Sequence, residues 1–373
     1  MTGETAHLCL ADGKQFEGIA WGARGVATGE VVFTTGMTGY EEVLTDPSYV
    51  GQIVTMTAPH IGNTGINPED TESVVGQPQV AGFILRDASA MSSNYRATET
   101  LDAYLARHNV VAISGIDTRA LTRYLRDHGA QNGAIGTLDP GALVRKAREA
   151  PSMVGQDLVA GVTPKEPYLF TESSGAWGIQ PAPSPDRHVV AIDLGLKRNI
   201  LRCLVDSGCR LTVVPASMKA KEILSLRPDG VFVSNGPGDP AAVTYAVDTV
   251  RELLGKTPLF GICLGHQLLA LALGGSTYKL KFGHRGINQP VLDKTTGRIE
   301  ITTQNHGFAV DVSSLEGRAQ TTHLHLNDKT SEGLSVPDIG AFSVQYHPEA
   351  AAGPHDSLYL FERFNKIIDA NRS

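Results

Sequence analysis

Apolar residues fall into short, regularly spaced runs from about residue 188 onward. Val189-Val190-Ala191-Ile192, Leu211-Thr212-Val213-Val214, Val231-Phe232-Val233 and Leu259-Phe260-Gly261-Ile262 are apolar nearly throughout. Helical stretches separate them at Lys197 to Asp206, Lys219 to Leu226 and Ala242 to Leu254. Strands without a polar face, alternating with helices, predict a doubly wound, mostly parallel sheet covered on both sides. The first 150 residues have another rhythm. Strand-like runs at Gly29 to Thr34, Val80 to Leu85 and Val110 to Ser114 mix with helices over Thr98 to His108 and Asp117 to His128. Asp117 or Thr118 can cap the second helix and Gly129 follows its end, so a mixed α/β domain is expected. Between the two, residues 151–187 are richer in Pro, Gly and Ser and end in Pro181-Ala182-Pro183-Ser184-Pro185-Asp186. Alternate prolines cannot hold a helix or a central strand. The expected organisation is α/β throughout: a domain over 1–150, a linker over 151–187 and a second domain over 188–373.

Composition narrows the function classes. A chain of 373 residues exceeds one ordinary core, and 41% hydrophobic with 19% charged residues excludes disorder over its whole length. The net charge of −7 is uneven, with −8 on residues 1–187 and +1 on the rest. An acidic first half argues against nucleic acid as a partner, and no basic amphipathic segment points to a membrane. Cys9, Cys203, Cys209 and Cys263 form no C-x-x-C pair, so neither a disulfide framework nor a zinc knuckle is expected. No apolar leader opens the chain. The uncharged stretch from Pro258 to Gly275 contains His266, Gln267 and glycines, which suit strand, turn and helix better than a membrane span. A cytoplasmic, reducing compartment is expected.

The strongest chemical signal lies in that stretch. Gly261-Ile262-Cys263-Leu264-Gly265 sits between a buried strand and an apolar helix, the pattern of a nucleophile elbow. Such a turn presents the sulfur at a helix amino terminus, where the dipole favours thiolate, and aims the Leu264 N–H at a developing oxyanion. A nucleophilic cysteine needs a base. His266 is tied to the nucleophile's own turn, and His306 sits in an expected loop. His323 and His325 alternate along an expected strand and could mimic a metal pair; with no third ligand nearby they read as surface residues, and no metal site is expected. His347 is the best base. It closes an apolar strand, Pro348 turns the chain, and Glu349 stands two residues on, where it can orient the imidazole. The turn Ser234-Asn235-Gly236-Pro237-Gly238-Asp239-Pro240 ends another parallel strand, where open α/β sheets bind ligands, and can supply a second oxyanion donor. Gly255-Lys256-Thr257 lacks the first glycine of a phosphate loop, because Val250 stands there, and Gly22 to Gly29 lacks dinucleotide spacing. No ATP site is expected in this chain.

Together the Gly261 to Gln267 elbow, the Asn235 to Pro240 turn and His347-Pro348-Glu349 resemble a triad-type glutamine amidotransferase. The first half is more specific. Gly36-Met37-Thr38-Gly39-Tyr40-Glu41-Glu42, Leu44-Thr45-Asp46-Pro47-Ser48-Tyr49 and Pro59-His60-Ile61-Gly62-Asn63 resemble the small chain of carbamoyl-phosphate synthase. So do Gly115 to Arg119 and Lys281 to Gly286, and the likeness covers nearly the whole chain. What it implies is a glutaminase in which Cys263 attacks glutamine, His347 moves the proton and Glu349 orients His347. It further implies that Gly236 and Leu264 hold the oxyanion, and that Ser48, Gly238, Gln267, Asn305, Gly307 and Phe308 bind L-glutamine. Ser48 would bring the other domain into the site. The partner implied is a large synthetase chain holding ATP and Mg2+, to which ammonia passes for carbamoyl phosphate, and so for arginine and pyrimidine synthesis. The acidic first domain is then expected to dock that chain. Ala350-Ala351-Ala352 replaces a stretch where the family often has Ser and Pro, outside the triad. The alternatives are a free-standing thiol hydrolase of γ-glutamyl compounds, a glutaminase of another synthetase, and a catalytically idle interaction subunit.

Overall fold

The computed structural model describes residues 3–177 and 186–372. Two compact units divide the chain: Met1–Gln156 with Lys281–Gly286, and Asp157–Leu280 with Ile287–Ser373.

In the first unit the short strands close on themselves. β1 (Thr5–Leu10), β2 (Gln15–Gly22), β3 (Val26–Thr34) and β4 (Gln52–Met56) join β6 (Gly82–Ile84), β8 (Val111–Ser114) and β9 (Gln131–Gly136) in a barrel of order β1-β2-β8-β6-β4-β3-β9, while β5 (His60–Ile61) pairs with β7 (Asp87–Ala88). Closure leaves no free edge. Leu8, Leu10, Val31, Ile53, Ile84, Ile113 and Ile135 fill one buried cluster of this unit. Four helices belong to it: α1 (Tyr40–Thr45), α2 (Leu101–Arg107), α3 (Thr118–His128) and α4 (Pro140–Glu149). Asp117 caps α3 by accepting from Ala120 N–H at 2.9 Å. The mixed α/β expectation becomes, specifically, a closed barrel with helices.

The second unit follows the apolar runs. β11 (Arg187–Asp193), α5 (Arg198–Asp206), β12 (Cys209–Pro215), α6 (Ala220–Ser225), β13 (Gly230–Val233), α7 (Thr244–Leu253), β14 (Leu259–Ile262) and α8 (Leu264–Ala272) alternate, and β19 (Ala341–Val344) precedes α9 (Tyr359–Arg372). Strands β12, β11, β13, β14 and β19 are parallel neighbours. Alternate residues serve opposite faces. Val190, Ile192, Val231 and Val233 pack with Val250 and Leu268 on one side; Val189, Ala191 and Phe232 pack with Phe361 and Phe364 on the other. Phe260 stacks on Phe342 with ring centroids 4.4 Å apart.

The sheet then extends beyond β19 through β18 (Ser331–Val336), β17 (Gln320–His325), β15 (Ser276–Asp293) and β16 (Ile299–Asp311), with antiparallel pairs where registers are defined. At the other edge β10 (Tyr168–Phe170) pairs antiparallel with β12. Part of the stretch expected as linker is therefore structured: its backbone finds partners on the exposed edge of β12, and Thr163 donates to the Asp193 carbonyl at 2.7 Å. Pro181, Pro183 and Pro185 lie outside the described residues. Among the described residues no helix is long and apolar enough to cross a membrane.

Candidate active site

The site is built at the carboxyl ends of the parallel strands in the second unit. Strand β14 runs into α8 through Cys263, whose backbone has φ 53° and ψ −102°. A non-glycine residue there is strained, and the surroundings must hold it. They do so by close approach. A Cβ on Gly265 would stand 2.1 Å from the Val233 carbonyl oxygen, so no larger residue fits beside β13. Cys263 N–H donates to Val344 O at 2.9 Å, and Gly265 N–H to Ser234 O at 3.0 Å. The second bond ties the elbow to the Ser234–Pro240 turn. A Cβ on Gly236 would sit 2.9 Å from a Leu264 methyl and 2.1 Å from Leu194 O, which places that backbone directly beside the elbow. Leu264 N–H opens α8 and is one of the amides that a helix leaves without an internal acceptor.

Strand β19 continues through buried Gln345 and Tyr346 to His347, whose N–H donates to Thr303 O of β16 at 2.8 Å. Nδ1 of His347 donates to Glu349 Oε1 at 2.7 Å. That bond fixes the tautomer and leaves Nε2 available, with no hydrogen-bond partner among the described residues. Glu349 is fully buried with its charge matched. Lys197 Nζ donates to Oε1 at 2.8 Å and to Ala351 O at 3.2 Å, and Asn199 Nδ2 donates to Glu349 O at 2.8 Å. Burial alone would raise the Glu349 carboxyl; Lys197, then His347, outweigh it and hold it well below the usual range. Burial likewise works to lower His347, but Glu349 and then Cys263 raise it well above an ordinary imidazole. Cys263 and His347 thus lie in electrostatic range, in a site that favours imidazolium.

Strand β16 supplies the opposite wall. Cys263 Sγ lies 3.7 Å from Asn305 O, and Gln267 Nε2 donates to Phe308 O at 2.8 Å and to Gln345 Oε1 at 3.0 Å. Gly307 lies between Asn305 and Phe308 on the same strand, and Gly238 shares the turn of Gly236 with φ 90°. Cys263, His347, Glu349, Gly236, Leu264, Gln267, Asn305 and Phe308 therefore lie around these strand ends in the second unit. Ser48 belongs to the barrel unit, in a single 3-10 turn over Pro47–Tyr49, where its N–H donates to Asp46 Oδ1 at 2.8 Å.

The other histidines are otherwise employed. His306 lies in β16 rather than a loop, with Nδ1 2.8 Å from Phe308 O and Nε2 3.1 Å from Gln304 Oε1. His266 is wholly buried, its Nδ1 2.9 Å from Ser343 Oγ, and burial pushes its pKa down to about 3. His323 and His325 are not surface residues: each is 1% exposed, in a β17 that is paired on one side by β15 and on the other by β18. Lys197 was missed. It reads as the start of a helix, although its position just after β11, at the carboxyl end of a parallel strand, was the available signal.

A buried parallel sheet, a cysteine elbow and a buried His–Glu pair define a class-I glutamine amidotransferase domain, and the family model "Glutamine amidotransferase class-I" matches residues 190–367. The model "Carbamoyl-phosphate synthase small chain, CPSase domain" matches residues 8–135. The carbamoyl phosphate synthase small chain of Syntrophotalea carbinolica is 60% identical, over 98% of this chain and 98% of that protein. That of Thermosynechococcus vestitus is 56% identical over 98% and 97%, and the chloroplastic one of Oryza sativa subsp. japonica 50% over 98% and 83%. The chain belongs to the carbamoyl phosphate synthase small chain family.

Proposed function

We propose that this chain hydrolyses the side-chain amide of L-glutamine at Cys263 and delivers ammonia to the large synthetase chain. The Cys263 thiolate adds to the amide carbon, and the resulting oxyanion is held by the Gly236 and Leu264 N–H groups. The carbon–nitrogen bond then breaks as His347 Nε2–H protonates the leaving nitrogen, giving ammonia and a glutamyl thioester. Water adds next, giving up its proton to His347. The thioester collapses to glutamate and thiolate, so glutamine plus water becomes glutamate plus ammonia. Glu349 keeps Nδ1 protonated and Nε2 directed at the reaction, and Lys197 keeps Glu349 charged. Gln267, Asn305, Gly307, Phe308, Gly238 and Ser48 bind the glutamine in this reading.

The observation carrying the proposal is the buried His347–Glu349–Lys197 chain beside a cysteine held at positive φ. Family membership supports the destination in this reading. The large chain would use ATP, Mg2+ and bicarbonate to convert the ammonia to carbamoyl phosphate, in the cytoplasm, for arginine and pyrimidine synthesis, with the acidic barrel unit docking to it. This chain needs no ATP or metal for the hydrolysis itself. The test is glutamate release by the purified chain with and without the large chain. Release that rises on adding the partner and vanishes in Cys263→Ser is expected; fast release indifferent to the partner would favour a free-standing hydrolase.

A further inference from the structure

Away from the nucleophile, β15, β16 and β17 bring three ligand-type side chains together inside the second unit. One donor atom from each of Asp293, Glu300 and His323 lies within 4.8 Å of the others, and all three residues are buried. Asp293 and His323 are direct cross-strand partners of the antiparallel β15–β17 pair. His323 sits where the β17–β18 register shifts on both of its sides. A bulge of this kind re-aims a side chain. Behind the ring stands Gly333, where a Cβ would come within 2.5 Å of His323 Nδ1. Nδ1 is 2.8 Å from Thr322 Oγ1, which leaves Nε2 as the nitrogen on offer. Nε2 is buried and has no hydrogen-bond partner among the described residues.

The carboxylates are held but not neutralised. Thr295 N–H and Oγ1 donate to Asp293 Oδ1 at 2.7 and 2.6 Å, and Thr296 Oγ1 to Oδ2 at 2.8 Å. Glu300 Oε2 accepts from Ser357 Oγ at 2.6 Å and Tyr346 OH at 3.3 Å. Neither carboxylate has a cationic side chain within ion-pair distance among the described residues. Two buried carboxylates sharing one place strongly favour a cation between them.

We propose that Asp293, Glu300 and His323 form a structural site for a divalent transition-metal ion, Zn2+ or Mn2+ in character. Mixed imidazole and carboxylate donors suit these ions better than Ca2+, which takes oxygen ligands alone. The hydroxyls of Thr295, Thr296, Ser357 and Tyr346 orient the ligands, as outer-shell groups do in metal centres. The ion joins three strands of the extension. Through Glu300 and Tyr346 it also fixes the residue immediately before His347. This departs from the sequence reading, in which His323 lacked a third ligand.

The experiment uses the full chain stripped by chelator dialysis, then titrated with Zn2+ and separately with Co2+. One tight equivalent per chain is expected, with a rise in Tm of several degrees. Co2+ should give visible d–d bands and one paramagnetically shifted imidazole signal. Asp293→Asn and His323→Gln should lose the tight equivalent and the bands. Absence of any tight equivalent in the wild-type chain overturns the proposal, as does undiminished binding in a folded variant. A sulfur-to-cobalt charge-transfer band without an imidazole signal also overturns it, since the ion is then on a cysteine. The wild-type spectra decide the matter even if both variants fail to fold.

Discussion

Two of the buried glutamates, one from each unit, are driven in opposite directions. Glu41 of the barrel unit is 4% exposed and Glu349 of the sheet unit 1% exposed. Glu41 accepts from the Asn67 backbone N–H and from Asn67 Nδ2, both neutral donors. Burial dominates there, and the carboxyl is pushed up to about 8. At Glu349 burial acts in the same sense, yet Lys197 and His347 reverse it. Neutral hydrogen bonds leave most of a carboxylate's desolvation unopposed, whereas two cationic neighbours overcome it. One glutamate is thus a neutral structural group near neutral pH, and the other a permanent anion beside His347.

The sharpest way to break this contrast is Glu349→Gln, which keeps the shape and removes the charge. Glutaminase kcat should fall by roughly 10³–10⁴-fold with the fold retained, because His347 loses both its tautomer control and its counter-charge. Steady-state glutamate release alongside circular dichroism checks this. Lys197→Met makes Glu349 resemble Glu41, a buried carboxylate without its nearest cation. We expect a loss of about 3 kcal/mol in stability, an acid limb of the kcat profile displaced to higher pH, and a smaller drop in kcat than for Glu349→Gln. An unmoved acid limb would mean that Lys197 does not set the Glu349 charge.

Glu41→Gln sharpens the other side. The folded pKa is raised, so between about pH 4.5 and 8 the native chain holds a proton that the unfolded chain has released. Stability from this group is complete below the unfolded pKa and is lost as pH rises through 8. The wild type should therefore lose on the order of a few kcal/mol relative to Glu41→Gln between pH 5 and pH 9, read as urea midpoints. The smallest effect is expected from Asn67→Ala. Its Nδ2 bond to Glu41 disappears while the backbone bond stays, so the Glu41 transition should move up by less than about one unit. A downward shift would show that Asn67 favours the protonated form.

The legible parts of this chain were those encoded locally. Four apolar runs marked parallel strands because both faces are buried and polarity has no reason to alternate. Cys263 and its glycines announced a turn that only small flanking residues permit, and the two-residue spacing of His347 and Glu349 is itself the geometry of their hydrogen bond. What escaped depends on distant pairing. Nothing near β1 announces that β9, more than a hundred residues on, closes the barrel with it. His323 and His325 alternate as a half-exposed strand would, and only the strands packed around them make both interior. Lys197 looked like an ordinary helix start, because its partner Glu349 is far along the chain.

The most direct test of the central claim is to acid-quench the chain during turnover of labelled glutamine and map the label by mass spectrometry. A glutamyl adduct confined to Cys263, accumulating in the wild type and absent in Cys263→Ser, is the result expected. Glutamate release that persists in Cys263→Ser, or a label on any other residue, would contradict it.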